Sequence, residues 1–570
     1  MHPAPFQQAG EISAAIRNVG SVALHLETCT QGGSPADDPW RGGIRAMALA
    51  VPDRPPWFID VQEWGSIPPE LTVAIESAVM IAHGARGVLL WLGVKLGIRP
   101  QKVFCTRTAA WLLSAGTPES LSLDATLSRF LRIPLEGEHP HSDWGGLFLT
   151  EEQIRSAANQ ADLLHELRRA LKRAINAASL QAACELEMDL IPVVAAMEEC
   201  GIAMDSRLLE VQREEASRAM QEASQQLSAL LKTPALNPSS PSQLVKALAR
   251  AGIVVPDTDE ARLKTVDDGL IIPAILDYRG KEKVFQQAGS LLAAVQADGR
   301  IHARFEPTGT DTGRFSSHSP NLQNIGRGRI RAAFVAPPGR VLVVADYSQI
   351  ELRVAAAIAN EEKMIAAYER DDDLHVLTAS AILDKPVAEV GKEDRQIAKS
   401  ANFGLLYGQG AKGLVSFARQ SYGVSLTTEQ ALGIRTRFFA AYPALARWHA
   451  FCTKEAASKV TEARTVIGRR RLISPGADRW QRFTALINAP VQGGCADGLK
   501  QAMVDLAGAL PSGARMVSTV HDELIIECDE NQSVEVARIA SGTMAAAMQK
   551  LFPTVPIKVE VTIGENWSLK

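Results

Sequence analysis

The sequence predicts an α/β multidomain fold, and three observations carry that expectation. Residues 1 to about 185 alternate short apolar runs with helical patterns, as strands interleaved with helices do. Residues 186 to 235 carry long helical periodicity, and strand-like segments return only from about residue 300. A chain of 570 residues has ample material for several hydrophobic cores.

Taken in order, SVALHLE and GIRAMALAV read as strands, AVMIAHGARGVLLWL as a strand running into a helix, and QADLLHELRRALKRAI as a helix. LIPVVAAMEECGI and RLLEVQREEASRAMQEASQQLSALL continue the helical pattern. NPSSPSQL breaks it, and Ser240 or Ser242 is the expected cap of the helix that follows. DYRGKEKVFQQ predicts one more helix with clustered charge. RIHARFEP then opens a strand-like region that passes through the Gly-rich TGTDTGRFSSHSPNLQNIG to VLVVADYSQIELRVAAAIA. Residues 355 to 465 read as mostly helical. MVSTVHDELIIEC predicts two strands around a turn at His521-Asp522-Glu523, and PIKVEVTIGENW predicts a last strand.

Hydrophobic content of 46% and charged content of 22% describe an ordinary globular chain. The formal charge of −4 carries no global sign of nucleic-acid binding, yet a basic groove can coexist with acidic residues gathered at a metal site. The seven cysteines form no CxxC pair, which argues against a structural zinc site or a disulfide framework. The start of the chain lacks a signal-peptide pattern, and no apolar run approaches the 18 or so residues of a membrane span. A reducing cytoplasm, bacterial or that of a viral host, is the expected setting, with no membrane partner.

Chemistry concentrates in three segments. In VLVVADYSQIELR an apolar strand ends on Asp346, and in VHDELIIE a predicted hairpin tip carries Asp522 and Glu523. Carboxylates at strand ends from distant parts of a chain can converge on hard divalent cations. Between them, RQIAKSANFGLLYG repeats Arg395, Lys399, Phe403 and Tyr407 every four residues. On a helix such residues share one broad face roughly 18 Å long, with cations for phosphates at one end and aromatics for a sugar and base at the other. An amphipathic helix with a basic solvent edge is the bland alternative for this segment alone. For Asp346 it is a helix-capping Asp, and for Asp522-Glu523 a solvated turn.

Together these segments resemble motifs A, B and C of family A DNA polymerases, in order: DYSQIELR at 346–353, RQIAKSANFGLLYG at 395–408 and VHDELIIE at 520–527. TGRFSSHSPNLQNI at 312–325 and NAPVQGGCAD at 488–497 resemble the family's segments before motifs A and C. NPSSPSQL, the Arg279 and Lys283 pair, GRRR at 468–471 and GENW are lesser matches. The resemblance implies a right-hand polymerase over 186–570, with thumb at about 200–300, palm at about 301–355 and 485–570, and fingers at about 356–484. It implies a two-metal transfer of dNTPs to a primer 3′-OH on primer–template DNA. Two Mg²⁺ ions would be held by Asp346, Asp522 and the backbone carbonyl of Tyr347, with Glu523 in support. Lys399 would protonate the leaving pyrophosphate, Arg395 and His375 would contact phosphates, and Gln349 would lie beside the site. Phe403 would pack on the sugar, implying discrimination against dideoxynucleotides, and Tyr407 near the templating base. Glu351 would be the steric gate against a ribose 2′-hydroxyl. Arg314, Asn488, Gln492 and His521 would meet the primer–template minor groove, whose acceptors vary little with sequence.

Residues 1–185 resemble the family's RNase H-like 3′–5′ exonuclease domain in layout, without its carboxylates. His25-Leu26-Glu27 stands where Asp-x-Glu is usual, Val88 where a second Asp falls, and Gln160 where a third falls, with Asp162 nearby. A structural domain without proofreading is therefore expected. The chain has no room for the family's 5′ nuclease domain, so a separate 5′ nuclease or processivity factor is an expected partner of a monomer. Residues 245–300 are short for a thumb, GRGRIR replaces a longer loop after NLQNI, and Thr484 stands where the family has a template-binding arginine. Two other readings compete: a single-subunit RNA polymerase, opposed by Glu351, Phe403 and TGRFSS, and an inactive DNA-binding scaffold, opposed by Asp346, Asp522 and Lys399.

Overall fold

The computed structural model describes residues 2–30, 38–134, 143–266, 268–326 and 328–569, so Arg327 of GRGRIR lies outside the described residues. A five-stranded sheet organises the N-terminal region in the order β3-β2-β1-β4-β5. β1 (Ser21–Thr30) pairs antiparallel with β2 (Gly42–Ala50) and parallel with β4 (Val79–Ala82). β3 (Trp57–Asp60) and β5 (Val103–Cys105) flank them. Helix α1 (Glu151–Ala177) lies across β1 and β2, opened by a Thr150–Gln153 capping box. That cover explains why β2 is buried continuously from Ile44 to Ala50 instead of alternating.

The boundary expected at 185/186 falls inside one unbroken helix, α2 (Gln181–Cys200). Its two faces serve different cores. Cys184, Met188, Ile191 and Ala195 pack into the N-terminal core, whereas Leu190, Val194 and Met197 pack into the C-terminal one. Three- and four-residue spacing divides a helix between two neighbours in this way, and no linker is needed.

Two long helices, α3 (Ser206–Leu230) and α4 (Ile271–Ala294), pack along each other to form an arm with its own small core around Leu227, Leu244 and Ile275. Ser240 occupies the N-cap of the intervening helix but makes no capping bond through its side chain; its hydroxyl meets that of Ser242, so the expected side-chain cap is not formed.

The C-terminal region centres on a four-stranded antiparallel sheet ordered β7-β8-β6-β9 from β6 (Arg340–Tyr347), β7 (Arg515–Val520), β8 (Glu523–Asp529) and β9 (Val559–Gly564). The VLVVA run of β6 is apolar throughout because β6 lies between β8 and β9, under helix α11 (Ser533–Leu551). A helical lobe is inserted between the strands. It includes α5 (Ile350–Ala359), α6 (Leu374–Leu383), α7 (Lys392–Leu406) and α8 (Ala411–Tyr422), followed by α9 (Arg479–Asn488) and α10 (Gly494–Ala509).

The GRRR segment lies in a hairpin that clamps the regions together. Arg469 pairs with Asp497 at 2.6 Å and Glu187 at 2.7 Å, and the buried Lys500 ammonium joins Glu187. Burial pushes Lys500 down to about 8, against the pull of Glu187. Arg470 donates to the Leu113 carbonyl, and the Leu472 amide to Ala115 at 2.7 Å. Among the described residues no helix is long and apolar enough to cross a membrane, and all seven cysteines are free thiols.

Candidate functional site

β6 delivers Asp346 to the edge of a cavity of about 550 Å³, and the β7–β8 turn delivers Asp522 to the same cavity. The register pairs Val520 with Glu523, so the turn is the two residues His521-Asp522. His521 takes the positive φ of 57° that such a tight hairpin requires. Glu523 therefore belongs to β8 and not to the tip, correcting the sequence expectation. Its carboxylate is buried, accepting from Trp567 Nε1 at 2.6 Å and Arg331 at 3.5 Å. The Tyr347 amide donates to the Asp522 carbonyl at 3.3 Å, which ties the two carboxylate-bearing strand ends together. Gln323 secures the turn from outside. Its Oε1 accepts from the His521 amide at 2.9 Å while its Nε2 donates to the Thr519 carbonyl at 2.8 Å. Gln323 sits in NLQNI, and its two-handed grip on the turn is a contact between residues almost 200 positions apart, which no local pattern signals.

The wall opposite the carboxylates comes from α7. Lys399 and Phe403 line the cavity, as do Arg314, Gln349, Glu351, His375, Tyr347 and His521. Arg395 is held at the start of the helix by Asp373, Nε to Oδ2 2.7 Å, and lies outside the lining. Asp373 caps α6 and accepts from the His375 and Val376 amides, so DDDLH is a built corner and not a solvated helix start. Tyr407 follows the last residue of α7 as its C-cap, so the four-residue ladder has three helical rungs and a fourth just beyond.

Glu351, in the first turn of α5, accepts from the Tyr407 hydroxyl with one oxygen and from Arg314 with the other. This carboxylate therefore ties the end of α7 and the start of α5 to the loop that carries Arg314. Gln492 also bonds the Tyr407 hydroxyl. It belongs to a π-turn, Ala489–Gly493, between α9 and α10, a local widening of the helix that re-aims side chains. Asn488 precedes that turn, and its buried Oδ1 finds no hydrogen-bond partner among the described residues. Neither Asn488 nor Gln492 lines the cavity itself.

Burial sets the protonation of the site. His375 is pushed down to about 4, chiefly by desolvation, and stays neutral at physiological pH. The Asn402 amide nitrogen meets its Nδ1 at 2.8 Å, which leaves Nε2 as the N–H donor. Burial also holds His521 below its ordinary value, reinforced by Arg314 and Arg331 and opposed by Asp346. Cys495, on the cavity wall, is pushed up to about 12 and is an inert thiol. A second cavity of about 600 Å³ lies between Gly408, His449, Trp480 and Phe483, and among the described residues no carboxylate lines it.

In the N-terminal region, His25 and Glu27 lie on β1. Glu27 Oε1 meets His25 Nε2 at 2.9 Å, Val88 packs against the apolar core, and Gln160 donates to the Ser156 hydroxyl at 3.5 Å. Asp162 is exposed.

Comparison with known proteins places both regions. Residues 206–569 match the family model of DNA polymerase family A, and residues 7–176 match that of a 3′–5′ exonuclease. DNA polymerase I of Aquifex aeolicus is 31% identical over 542 residues, covering 90% of this chain and 92% of that protein. DNA polymerase I of Pseudomonas aeruginosa is 34% identical over 440 residues, 72% of this chain and 47% of the relative. The thermostable DNA polymerase I of Thermus thermophilus is 34% identical over 453 residues, 73% of this chain and 52% of the relative. The chain thus spans about half the length of the Pseudomonas and Thermus proteins. A solved structure described as the POL domain of Pol1 from M. smegmatis, in complex with DNA primer-template and dNTP, superposes with a TM-score of 0.84 at 26% identity. It covers 100% of this chain and 99% of that one.

Proposed function

We propose, from the premise that this chain belongs to DNA polymerase family A, that it extends a primer 3′-OH with dNTPs along a DNA template and does so without proofreading. One observation carries the reading: Asp346 and Asp522, from strands far apart in sequence, line the same cavity as Lys399, Phe403 and Glu351. The four-stranded sheet then serves as palm (about 301–355 and 485–570), the α3–α4 arm as thumb (about 200–300) and the inserted helical lobe as fingers (about 356–484).

Asp346, Asp522 and the Tyr347 carbonyl are hard oxygen donors, too few to saturate a cation, which fits Mg²⁺ sharing its coordination with substrate phosphates. Two such ions, when bound, activate the attacking hydroxyl and neutralise charge on the transferring phosphoryl group. The remaining work falls to the chain. Lys399 meets the triphosphate and gives a proton to the departing pyrophosphate. His375, neutral, donates through Nε2 to a phosphate oxygen, and Arg395 adds charge at the outer end once it exchanges Asp373 for the nucleotide. Phe403 packs against the sugar, with Gln349 beside it. Glu351 fills the space a 2′-hydroxyl needs, and its two hydrogen bonds fix it there. Tyr407 stands at the templating base, while Arg314, Asn488, Gln492 and His521 face the minor groove; the orphaned Asn488 Oδ1 fits a role completed by DNA. Glu523 supports the site indirectly, by anchoring Arg331 and Trp567 beneath it.

The N-terminal domain keeps the exonuclease fold, but a site holding only Glu27, itself paired with His25, has too few ligands for a two-metal hydrolysis. We read it as a structural domain of a cytoplasmic monomer that works with a separate 5′ nuclease or processivity factor. Primer extension with Mg²⁺, using matched and 3′-mismatched primers and either dNTPs or rNTPs, tests all of this. Extension with dNTPs, little with rNTPs and no shortening of the mismatched primer are expected. Absence of extension would revive the inactive scaffold, and preferred use of rNTPs the RNA polymerase. Excision of the mismatch would overturn the reading of residues 1–185.

A further inference from the structure

The cavity has a wall that neither the ladder nor the carboxylate motifs account for. Tyr422, the last residue of α8, lines it beside Lys399 and Phe403. Helix α8 turns back along α7 after the four-residue connection 407–410. The two helices approach closely: a Cβ on Gly404 would lie 3.0 Å from Leu414 and 3.1 Å from Phe417. From Leu414 to Tyr422 the helix runs about 12 Å. That brings its end back level with Lys399, where phosphates and sugar are read to lie.

The end of α8 is fixed from three directions. Gly423 closes the helix at φ 68°, its amide bonding the Arg419 carbonyl while the Val424 amide bonds that of Ala418. Phe417 meets the Tyr422 ring edge-on, centroids 5.7 Å apart at 70°, which sets the plane of the ring. From the opposite arm, Lys264 Nζ reaches the Gln420 carbonyl at 3.3 Å and Arg419 reaches the Thr265 carbonyl at 3.5 Å. A lysine on the orphan carbonyls of a helix C-terminus is favourable. Here it also spans the cleft, from the α3–α4 arm to the helical lobe.

We infer that Tyr422 is a nucleotide-contacting residue, its ring forming a second aromatic surface against the incoming deoxynucleoside triphosphate next to Phe403. A tyrosine serving only the lobe's core has no reason to border the cavity that holds both carboxylates, and Tyr422 is only partly buried. The contact is with the ring and not the hydroxyl, because the Phe417 packing presents the ring as a wall.

This inference rests on the polymerase reading, and the parent enzyme's own extension keeps the two separable. Single-nucleotide incorporation is measured for the parent, Tyr422→Ala and Tyr422→Phe, together with primer–template affinity by fluorescence anisotropy. Tyr422→Ala is expected to raise KM for the dNTP about five- to tenfold, the value of one aromatic contact, with kcat within about twofold. Primer–template affinity should not move, and Tyr422→Phe should match the parent. With an active parent, three results would overturn the inference: an unchanged KM in Tyr422→Ala, a KM that rises in step with weakened primer–template binding, or a Tyr422→Phe variant as impaired as Tyr422→Ala.

Discussion

Two sheets in this chain carry polar residues singled out by the sequence, and the settings of those residues differ. β1 carries His25 and Glu27, closed on each other at 2.9 Å. β6 carries Asp346, joined across the sheet to the turn that carries Asp522. Each sheet is well packed behind its strand, with Val22, Ala23 and Leu24 buried in one and Leu342, Val343 and Val344 in the other. Under the proposed reading, the N-terminal sheet keeps its fold without keeping a metal site. Packing depends on apolar volume spread over many residues, whereas a metal site depends on two or three charges, and losing those costs the core nothing.

The comparison can be broken most sharply at the carboxylates. Replacing Asp346 or Asp522 by Asn is expected to lower primer extension by about 10³-fold or more, with melting temperature and DNA binding retained. Residual activity within tenfold of the parent would mean that the replaced carboxylate holds no catalytic metal. Glu351→Ala should cost less and in a specific direction. It opens the space for a 2′-hydroxyl and should narrow the preference for dNTPs over rNTPs by about 10²-fold, read from the two kcat/KM values. Unchanged selectivity would remove Glu351 from the gate.

Acid distinguishes the regions more gently. His83, bonded to Thr106 and Leu121 in the N-terminal domain, is pushed down to about 4, mainly by burial. A folded value below the ordinary 6.5 means its contribution is complete above pH 6.5 and is lost as pH falls toward 4. Between pH 6.5 and 5 the cost is about 2 kcal/mol, and His83→Gln should flatten that part of the melting-temperature profile. His375 is pushed down to about 4 as well and shares the acid sensitivity. An identical pH profile for His83→Gln and parent would discard the assignment. The smallest effect belongs to Glu27→Gln, which should leave extension and the absence of mismatch excision unchanged within about twofold. Any measurable loss of excision would show that the N-terminal site was active after all.

Much of this was legible before the coordinates. VLVVADY announces a strand buried on both faces because five apolar residues in succession leave no solvent side, and β6 lies between two partners as that pattern requires. Asp346, Asp522, Lys399, Phe403, Glu351 and His375 all line one cavity. The chain could name them because each sits in a short segment whose residue types and order suit phosphate chemistry. Local readings failed where the backbone had more than one way to satisfy itself. Glu523 reads as a turn residue until the Val520–Glu523 register places it in a strand, and Ser240 reads as a cap whose hydroxyl in fact turns to Ser242.

What the sequence by itself determined is the set of chemical groups and the elements that hold them, since apolar periodicity and turn chemistry act over a few residues. What only the tertiary structure decided is which distant groups meet. Gln323 grips the His521 turn, Glu351 joins Tyr407 to Arg314, α2 shares its faces between two cores, and Tyr422 comes to the cavity of Asp346 and Asp522 on a helix folded back along α7. Each of these is a contact of long sequence separation. Its energy depends on the packing of everything between the partners, so no window of the chain contains it.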